Sequence, residues 1–405
     1  MRVLLIGSGG REHALAWKLA QSPLLDELHA APGNPGIAQL GECHPVRAED
    51  GEGLLDLARS LEADLVVVGP EGPLVAGVAD ELRHAGVSVF GPSQAAAQIE
   101  GSKSFAKDVM SAVGVSTPQT MSIARPPCVL KLDGLAGGKG VFVCPDQESL
   151  DQALQVVGGL GQALLIEELL VGQEVSLFAI ADGRDAVALA PARDYKRIGD
   201  GDTGPNTGGM GAYSPVPEVS AAEIDELLDA VHRPVLTELA SRGAPFVGLL
   251  YAGLMLTDDG PKVLEFNCRF GDPETQAILP RLQGDLLASL AAAAAGHLDS
   301  IDVEAAEEAA VTVVLAAHGY PEGRDSGSAI EGVREAEAEA IVFHAGTAMR
   351  GSQLVTNGGR ILDVTALGPS IDEARERAYA ACNLISFEGM RFRADIAAKA
   401  ASVAT

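Results

Sequence analysis

Positive charge is what this chain has least of for its size. Its 405 residues carry 29 Lys+Arg against 56 Asp+Glu, a formal net charge of −27. A protein that grips nucleic-acid backbones needs a basic face, so no nucleic acid is expected as a partner. Any anionic ligand must be met by a local gathering of the few cations. Cysteine is scarce too: Cys43, Cys128, Cys144, Cys268 and Cys382 form no C-x-x-C pair and are too scattered for a disulfide framework. No apolar run reaches the roughly 18 residues of a membrane span, and residues 1–5 read as a strand rather than a signal peptide. The expectation is a cytoplasmic protein without a membrane partner. Aromatic residues are only 4% of the chain, yet apolar residues make up 47%, enough for a substantial core in two to four domains.

What is present begins with an alternation over 2–101: strand patterns at 3–6, 28–31, 65–68 and 87–90, helix patterns at 12–20, 53–61 and 75–85. Such alternation specifies a parallel sheet with helices on both faces. The first turn, Gly7-Ser8-Gly9-Gly10-Arg11-Glu12, lacks the third glycine of a dinucleotide fingerprint, and no acidic residue closes the second strand. NAD is therefore disfavoured. A glycine turn before a helix still offers N–H groups to an anion such as a sugar phosphate, although a turn needed only for packing reads the same. Glu71 stands at the carboxyl end of a later strand, the edge where such sheets bind ligands.

Gly101-Ser102-Lys103 begins a helix to Val113, and then the pattern changes to strand, glycine loop, strand, helix, strand, strand over 129–181, a small α+β unit. The loop Asp133-Gly134-Leu135-Ala136-Gly137-Gly138-Lys139-Gly140 is not a Walker A motif, since Gly140 replaces Ser/Thr. Its N–H groups and Lys139 could still close over phosphates. In 167–174, carboxylates flank Leu169 and Leu170, a composition suited to a purine edge and a ribose diol. Lys196 and Arg197 precede a Gly-rich loop at 199–211; long loops are usually functional or disordered, and a basic pair in so acidic a chain points to an anion. Helices are expected at 221–242 and 274–296, a strand at 247–256, and, in the last part, strands at 311–317 and 361–365 and a helix at 371–385. His344 and Arg360 stand where they could reach a ligand.

The densest chemistry lies in Val263-Leu264-Glu265-Phe266-Asn267-Cys268-Arg269-Phe270-Gly271-Asp272-Pro273-Glu274-Thr275. Its first half reads as a strand, so Glu265 and Asn267 share a face. A carboxylate beside an amide oxygen suits a hard cation such as Mg²⁺. An isolated E-x-N more often marks an edge strand facing water.

Taken together, the glycine loop between two strands, the carboxylate hinge and the E-x-N strand resemble the ATP-grasp ligases. More narrowly, Ile6 to Ala14, Gly101-Ser102-Lys103, the run from Gly204 to Ser214 and the run from Leu264 to Gln276 are similar to the phosphoribosylamine–glycine ligase (glycinamide ribonucleotide synthetase) family, and the similarity runs end to end. The resemblance implies an α/β and α+β multidomain chain: an N-terminal doubly wound domain at 1–101, an ATP-grasp core at 102–120 and 187–318, a lid at 121–186 and a C-terminal α+β domain at 319–405. It implies ATP with Mg²⁺ or Mn²⁺, the small-molecule substrates glycine and 5-phosphoribosylamine, and a monomer or weak homodimer. Carried over by motif, Glu265 and Asn267 would bind the metal. Lys103, Lys131, Gly134, Gly137, Gly138, Lys139 and Gly140 would hold ATP phosphates, Glu168 and Leu170 the adenine, and Glu174 the ribose. Arg269, Asp272 and Lys139 would act at the transferred phosphoryl group, with Gly271 beside the glycine. Gly9, Gly10, Glu71, Lys196 and Arg360 would face phosphoribosylamine. The chain departs from the family in reading Arg193 and Tyr195 where relatives usually carry Gln and His, and in a short 122–128 connection, which predicts a trimmed lid. Another ATP-grasp carboxylate–amine ligase, or a nucleotide-binding relative without catalysis, are the alternatives.

Overall fold

The computed structural model describes residues 1–135, 140–159, 161–298, 301 and 303–401; the expected phosphate-loop residues Gly137, Gly138 and Lys139 lie outside them. The N-terminal sheet is parallel throughout, in the spatial order Glu42–Cys43, Glu27–Pro32, Arg2–Gly7, Leu65–Val68, Val89–Phe90. Because successive side chains on a strand face opposite ways, Leu4 and Ile6 pack on one face with Val66 and Leu82, while Val3 and Leu5 pack on the other with Leu15 and Phe90. The sheet is buried on both faces, as the continuous apolar strands require. Glu42–Cys43 is too short to show a period in the sequence. The helix expected over 75–85 is broken: Gly77, at φ +98°, ends Glu71–Ala76 and starts Val78–His84.

A second, antiparallel sheet runs Ala186–Ala188, Gln173–Asp182, Val247–Thr257, Gly260–Asn267. Both apolar clusters of the first sheet continue into it, through Leu177 and Leu250 on one side and Phe178 and Leu249 on the other. The two sheets therefore share a core, which fixes the ligand edge of the first against the Glu265 strand of the second. The residues 175–181, read from sequence with the α+β unit, pair instead along the Val247–Thr257 strand. The lid sheet has three antiparallel strands, Val141–Cys144, Cys128–Leu132 and Leu164–Glu168, covered by the helix Gln147–Val157. No helix intervenes between 121 and 128, in line with the short connection.

A fourth sheet, Arg193–Asp194, Gly211–Ser214, Ala309–Ala316, Arg360–Gly368, Ile341–His344, draws the C-terminal part against the glycine-rich loop. That loop folds as the hairpin Arg197–Gly199 and Thr203–Asn206. Buried Arg393 holds it by donating to the Arg197 carbonyl and Asp202. The helix expected over 274–296 is interrupted: Glu274–Ile278 passes into a 3₁₀ turn containing Pro280, and Asp285 caps the new helix Leu286–Ala294. No described helix is long and apolar enough to cross a membrane.

Candidate active site

A cleft of about 980 Å³ opens where these four sheets meet. Lys103, Lys131, Gly134, Gly140, Glu168, Leu170, Glu174, Glu71, Lys196, Glu265, Asn267, Arg269, Asp272 and Arg360 all line it. Residues proposed from points scattered between 71 and 360 thus face one cavity. Gly9, Gly10 and Gly271 fall outside that lining and pack close behind it.

Glu265 and Asn267 lie on the strand Gly260–Asn267, the edge of its sheet, yet this edge faces the cleft. Glu265 keeps 35% of its side-chain surface open. Burial pushes its carboxyl up, but Lys196, Lys131 and Lys103 outweigh burial and hold it below the usual carboxylate range. It is therefore ionised and ready for a cation. Asn267 is satisfied when its amide nitrogen donates to the Phe266 carbonyl at 3.2 Å and to Glu100 at 3.0 Å, which turns the amide oxygen the other way. An ionised carboxylate and a neutral oxygen, with space beside them, fit a small hard cation.

The cations are positioned with equal care. Lys131 Nζ donates to the Leu264 carbonyl at 2.9 Å and pairs with buried Glu167 at 2.7 Å. Lys107 meets the other oxygen of Glu167 at 2.5 Å. Lys103 Nζ reaches the Gly134 carbonyl at 3.0 Å, and its backbone N–H donates to Asp133 at 2.6 Å, joining the helix Lys103–Val113 to the start of the loop. Burial lowers the Lys103 pKa, against the pull of Glu265. At the hinge, Glu168 accepts from the Gln119 N–H at 2.9 Å and from Lys262 at 3.0 Å, with Leu169 and Leu170 presenting apolar surface. Lys196 bridges Glu174 at 2.8 Å and Glu265 at 3.8 Å. Asp194 nearby is pushed up to about 8, by burial first, with Glu274, Glu174 and Glu265 adding to it against Lys196.

Arg269 is held between Glu71 at 3.1 Å and Glu100 at 3.3 Å. Burial raises the Glu71 carboxyl, but Arg269 and Arg11 bring it down to about 2. Arg360 pairs with the Asp272 carboxylate at 2.9 Å and also donates to the Asp272 and Gly208 carbonyls at 2.8 and 2.5 Å. The glycine turn closes on this loop from behind. Gly9 N–H donates to Glu12 at 2.6 Å, and Glu12 pairs with Arg11 at 2.5 Å. A side chain at Gly10 would put its Cβ 1.9 Å from Asp363, which shares Gln276 with Asp272. His344 is buried: its ring meets Thr347 at 3.1 Å and its backbone N–H donates to His13 at 2.7 Å, and burial lowers its pKa to about 4. It braces the core behind the turn.

Glu100, Glu167 and Arg11, which no motif singles out, hold nominated side chains in place: Glu100 pairs with Arg269, Glu167 with Lys131 and Arg11 with Glu71. Glu100 directly precedes Gly101-Ser102-Lys103, and Glu167 directly precedes Glu168. A carboxylate inside an otherwise apolar pattern was the available signal, because such a group is buried only with a partner.

A carboxylate and an amide that could hold a hard cation, lysines gathered around them and a three-stranded lid over one cleft are the parts of an ATP-grasp enzyme. Residues 1–100, 101–275 and 310–399 match the N, ATP-grasp (A) and C domains of phosphoribosylglycinamide synthetase, and the chain belongs to that family. Phosphoribosylamine–glycine ligase of Agrobacterium fabrum is 48% identical over 413 residues, 98% of each chain. That of Streptomyces coelicolor is 50% identical over 418 residues, covering 99% of this chain and 100% of its own. The crystal structure of phosphoribosylamine–glycine ligase from Thermotoga maritima matches with a TM-score of 0.84 at 35% identity, over 98% of this chain and 100% of that one. The biotin carboxylase domain of Hydrogenobacter thermophilus 2-oxoglutarate carboxylase, at 17% identity and TM-score 0.71 over 96% of this chain and 91% of that one, shares the fold alone.

Proposed function

We propose that the chain joins glycine to 5-phosphoribosylamine at the expense of ATP, giving glycinamide ribonucleotide, ADP and phosphate, a step of purine biosynthesis. The observation that carries this reading is the convergence of Glu265, Asn267, Lys103, Lys131 and Arg269 on one cleft beside the glycine turn. In this reading Leu170 and Glu168 receive the adenine and Glu174 the ribose, while Lys103, Lys131 and the 134–140 loop hold the phosphates. Mg²⁺ or Mn²⁺, held by Glu265 and Asn267, would add neutralising charge on the phosphate oxygens. Arg269 stays cationic between its two carboxylates and stabilises the moving phosphoryl group, with Asp272 and Gly271 positioning glycine. Glu71, Arg360, Gly9 and Gly10 frame the phosphoribosylamine end. Lys196 lies between the ribose and metal ligands and tunes both.

Phosphoryl transfer asks the protein mainly for positioning and charge neutralisation, which these groups supply. A glycine carboxylate oxygen attacks the γ-phosphorus, the bond to ADP breaks, and glycyl phosphate forms. The amine of phosphoribosylamine then attacks the glycyl carbonyl, loses a proton, and phosphate leaves. Domain limits at 101, 121, 186 and 318, a monomer or weak homodimer, and a cytoplasmic location belong to the same proposal. Glycine labelled with heavy oxygen in its carboxylate tests the route. One labelled oxygen is expected in the released phosphate, and unlabelled phosphate contradicts the acyl phosphate.

A further inference from the structure

On the outer edge of the N-terminal sheet, far along the chain from the Glu265 strand, His29, Glu42 and His44 bring one ligand atom each to within 4.8 Å of the others. The sheet builds this cluster. His29 is the register partner of Glu42 across the parallel pair, and His44 follows two residues on, so all three project from one face. The His44 N–H, donating to the Ala30 carbonyl at 2.8 Å, extends the pairing and fixes where its side chain starts.

The ring atoms are aimed as ligands. His29 Nδ1 lies 3.0 Å from His44 Nε2 and 4.0 Å from the Glu42 carboxylate. Two nitrogens 3.0 Å apart can each stand about 2.0–2.1 Å from a common centre, the ordinary zinc–imidazole length. On its other side His29 Nε2 faces Glu27 at 3.4 Å. A carboxylate only accepts, so it holds the proton on Nε2 and leaves the Nδ1 lone pair pointing into the cluster. Orientation of a ligating imidazole by a carboxylate behind it is a recurrent feature of metal centres. Only 8% of the His29 side chain is exposed, whereas Glu42 is 70% exposed and free to swing inward.

We propose that His29, Glu42 and His44 form a site for a borderline divalent transition metal of the zinc class, separate from the cation site at Glu265 and Asn267. Two imidazoles and one carboxylate are a nitrogen-rich set that Mg²⁺ does not choose and Zn²⁺ does, with water completing the tetrahedron. The bound ion clips the short edge strand Glu42–Cys43 to its neighbour, adding to the two register pairs, His29 with Glu42 and Ala30 with Cys43, and to the His44 N–H bond to the Ala30 carbonyl.

The test uses full-length protein stripped with a chelator and kept in excess Mg²⁺ so that the oxygen-ligand site is filled. Equilibrium dialysis against Zn²⁺ is expected to give one saturable equivalent, weakened at least about tenfold in His44→Ala and in Glu42→Gln. With Co²⁺ instead, wild type is expected to show the visible absorption of a tetrahedral site and His44→Ala to lack it. ADP formation in Mg²⁺ alone should be unchanged in both variants, which verifies that they fold. Equal zinc affinity in wild type and His44→Ala, or no saturable zinc in the wild type, overturns the proposal.

Discussion

Replacing Glu265 with alanine is expected to lower turnover by at least about 10²-fold, the scale of losing one preorganised electrostatic stabiliser. The carboxylate stands among Lys103, Lys131 and Lys196, which keep it ionised at neutral pH. In the proposed assignment the cation would then lose its one charged ligand on this strand, leaving Asn267 to offer a neutral oxygen. The metal concentration for half-maximal rate should rise together with the fall in turnover. The fold should survive, because Glu265 lies on an edge strand with 35% of its side chain open and leaves no void in the core. Steady-state rates across a Mg²⁺ series, with circular dichroism as the folding control, measure both effects. Near-normal turnover at ordinary Mg²⁺ would show that the ligand assignment is wrong.

Arg269→Ala should be costly in a different way. The guanidinium lies between Glu71 and Glu100, and Glu100 also accepts the Cys268 N–H at 2.7 Å. Removing one partner of a buried ion pair leaves an uncompensated charge, worth about 3–5 kcal/mol of stability. Turnover should fall as well, since the side chain lines the cleft. The pH dependence has a definite sign. Burial already raises the Glu100 carboxyl above 4.5, with Arg269 pulling it back and Glu71 adding to the rise. Losing Arg269 raises it further. From 4.5 up to that raised value the folded state holds a proton that the unfolded state has released, so stability falls as pH rises through this window. The variant's deficit should therefore be largest at alkaline pH and shrink in mild acid. Urea denaturation at the two ends measures it, and a deficit independent of pH would mean that Glu100 is not the group left exposed.

Much of this was legible in the chain because it is written at short range. Alternating apolar runs give the parallel sheet, and a two-residue spacing puts Glu265 beside Asn267. The family motifs then assign the cleft. What could not be read depends on contacts distant in sequence. Glu100 becomes part of the site only when the Glu265 strand passes over its helix, and Glu167 only when Lys107 and Lys131 converge on it. Breaks such as the one at Gly77 were missed because the apolar periodicity continues through it. The pairing of Gln173–Asp182 with Val247–Thr257 spans some seventy residues of chain, which no local pattern records. Tyr195, one of the departures from the family pattern, has a structural use. Its hydroxyl accepts from the Ala397 N–H at 2.9 Å and Arg393 stacks on its ring, so it ties the glycine-rich loop to the C-terminal part.

In the proposed reaction one cleft couples ATP cleavage to two particular substrates. ADP release measured with glycine and freshly made phosphoribosylamine together, and with each omitted in turn, tests it most directly. Rapid ADP formation only when both are present is the predicted result. ADP release indifferent to both, or supported by a different acid or amine in their place, would contradict it.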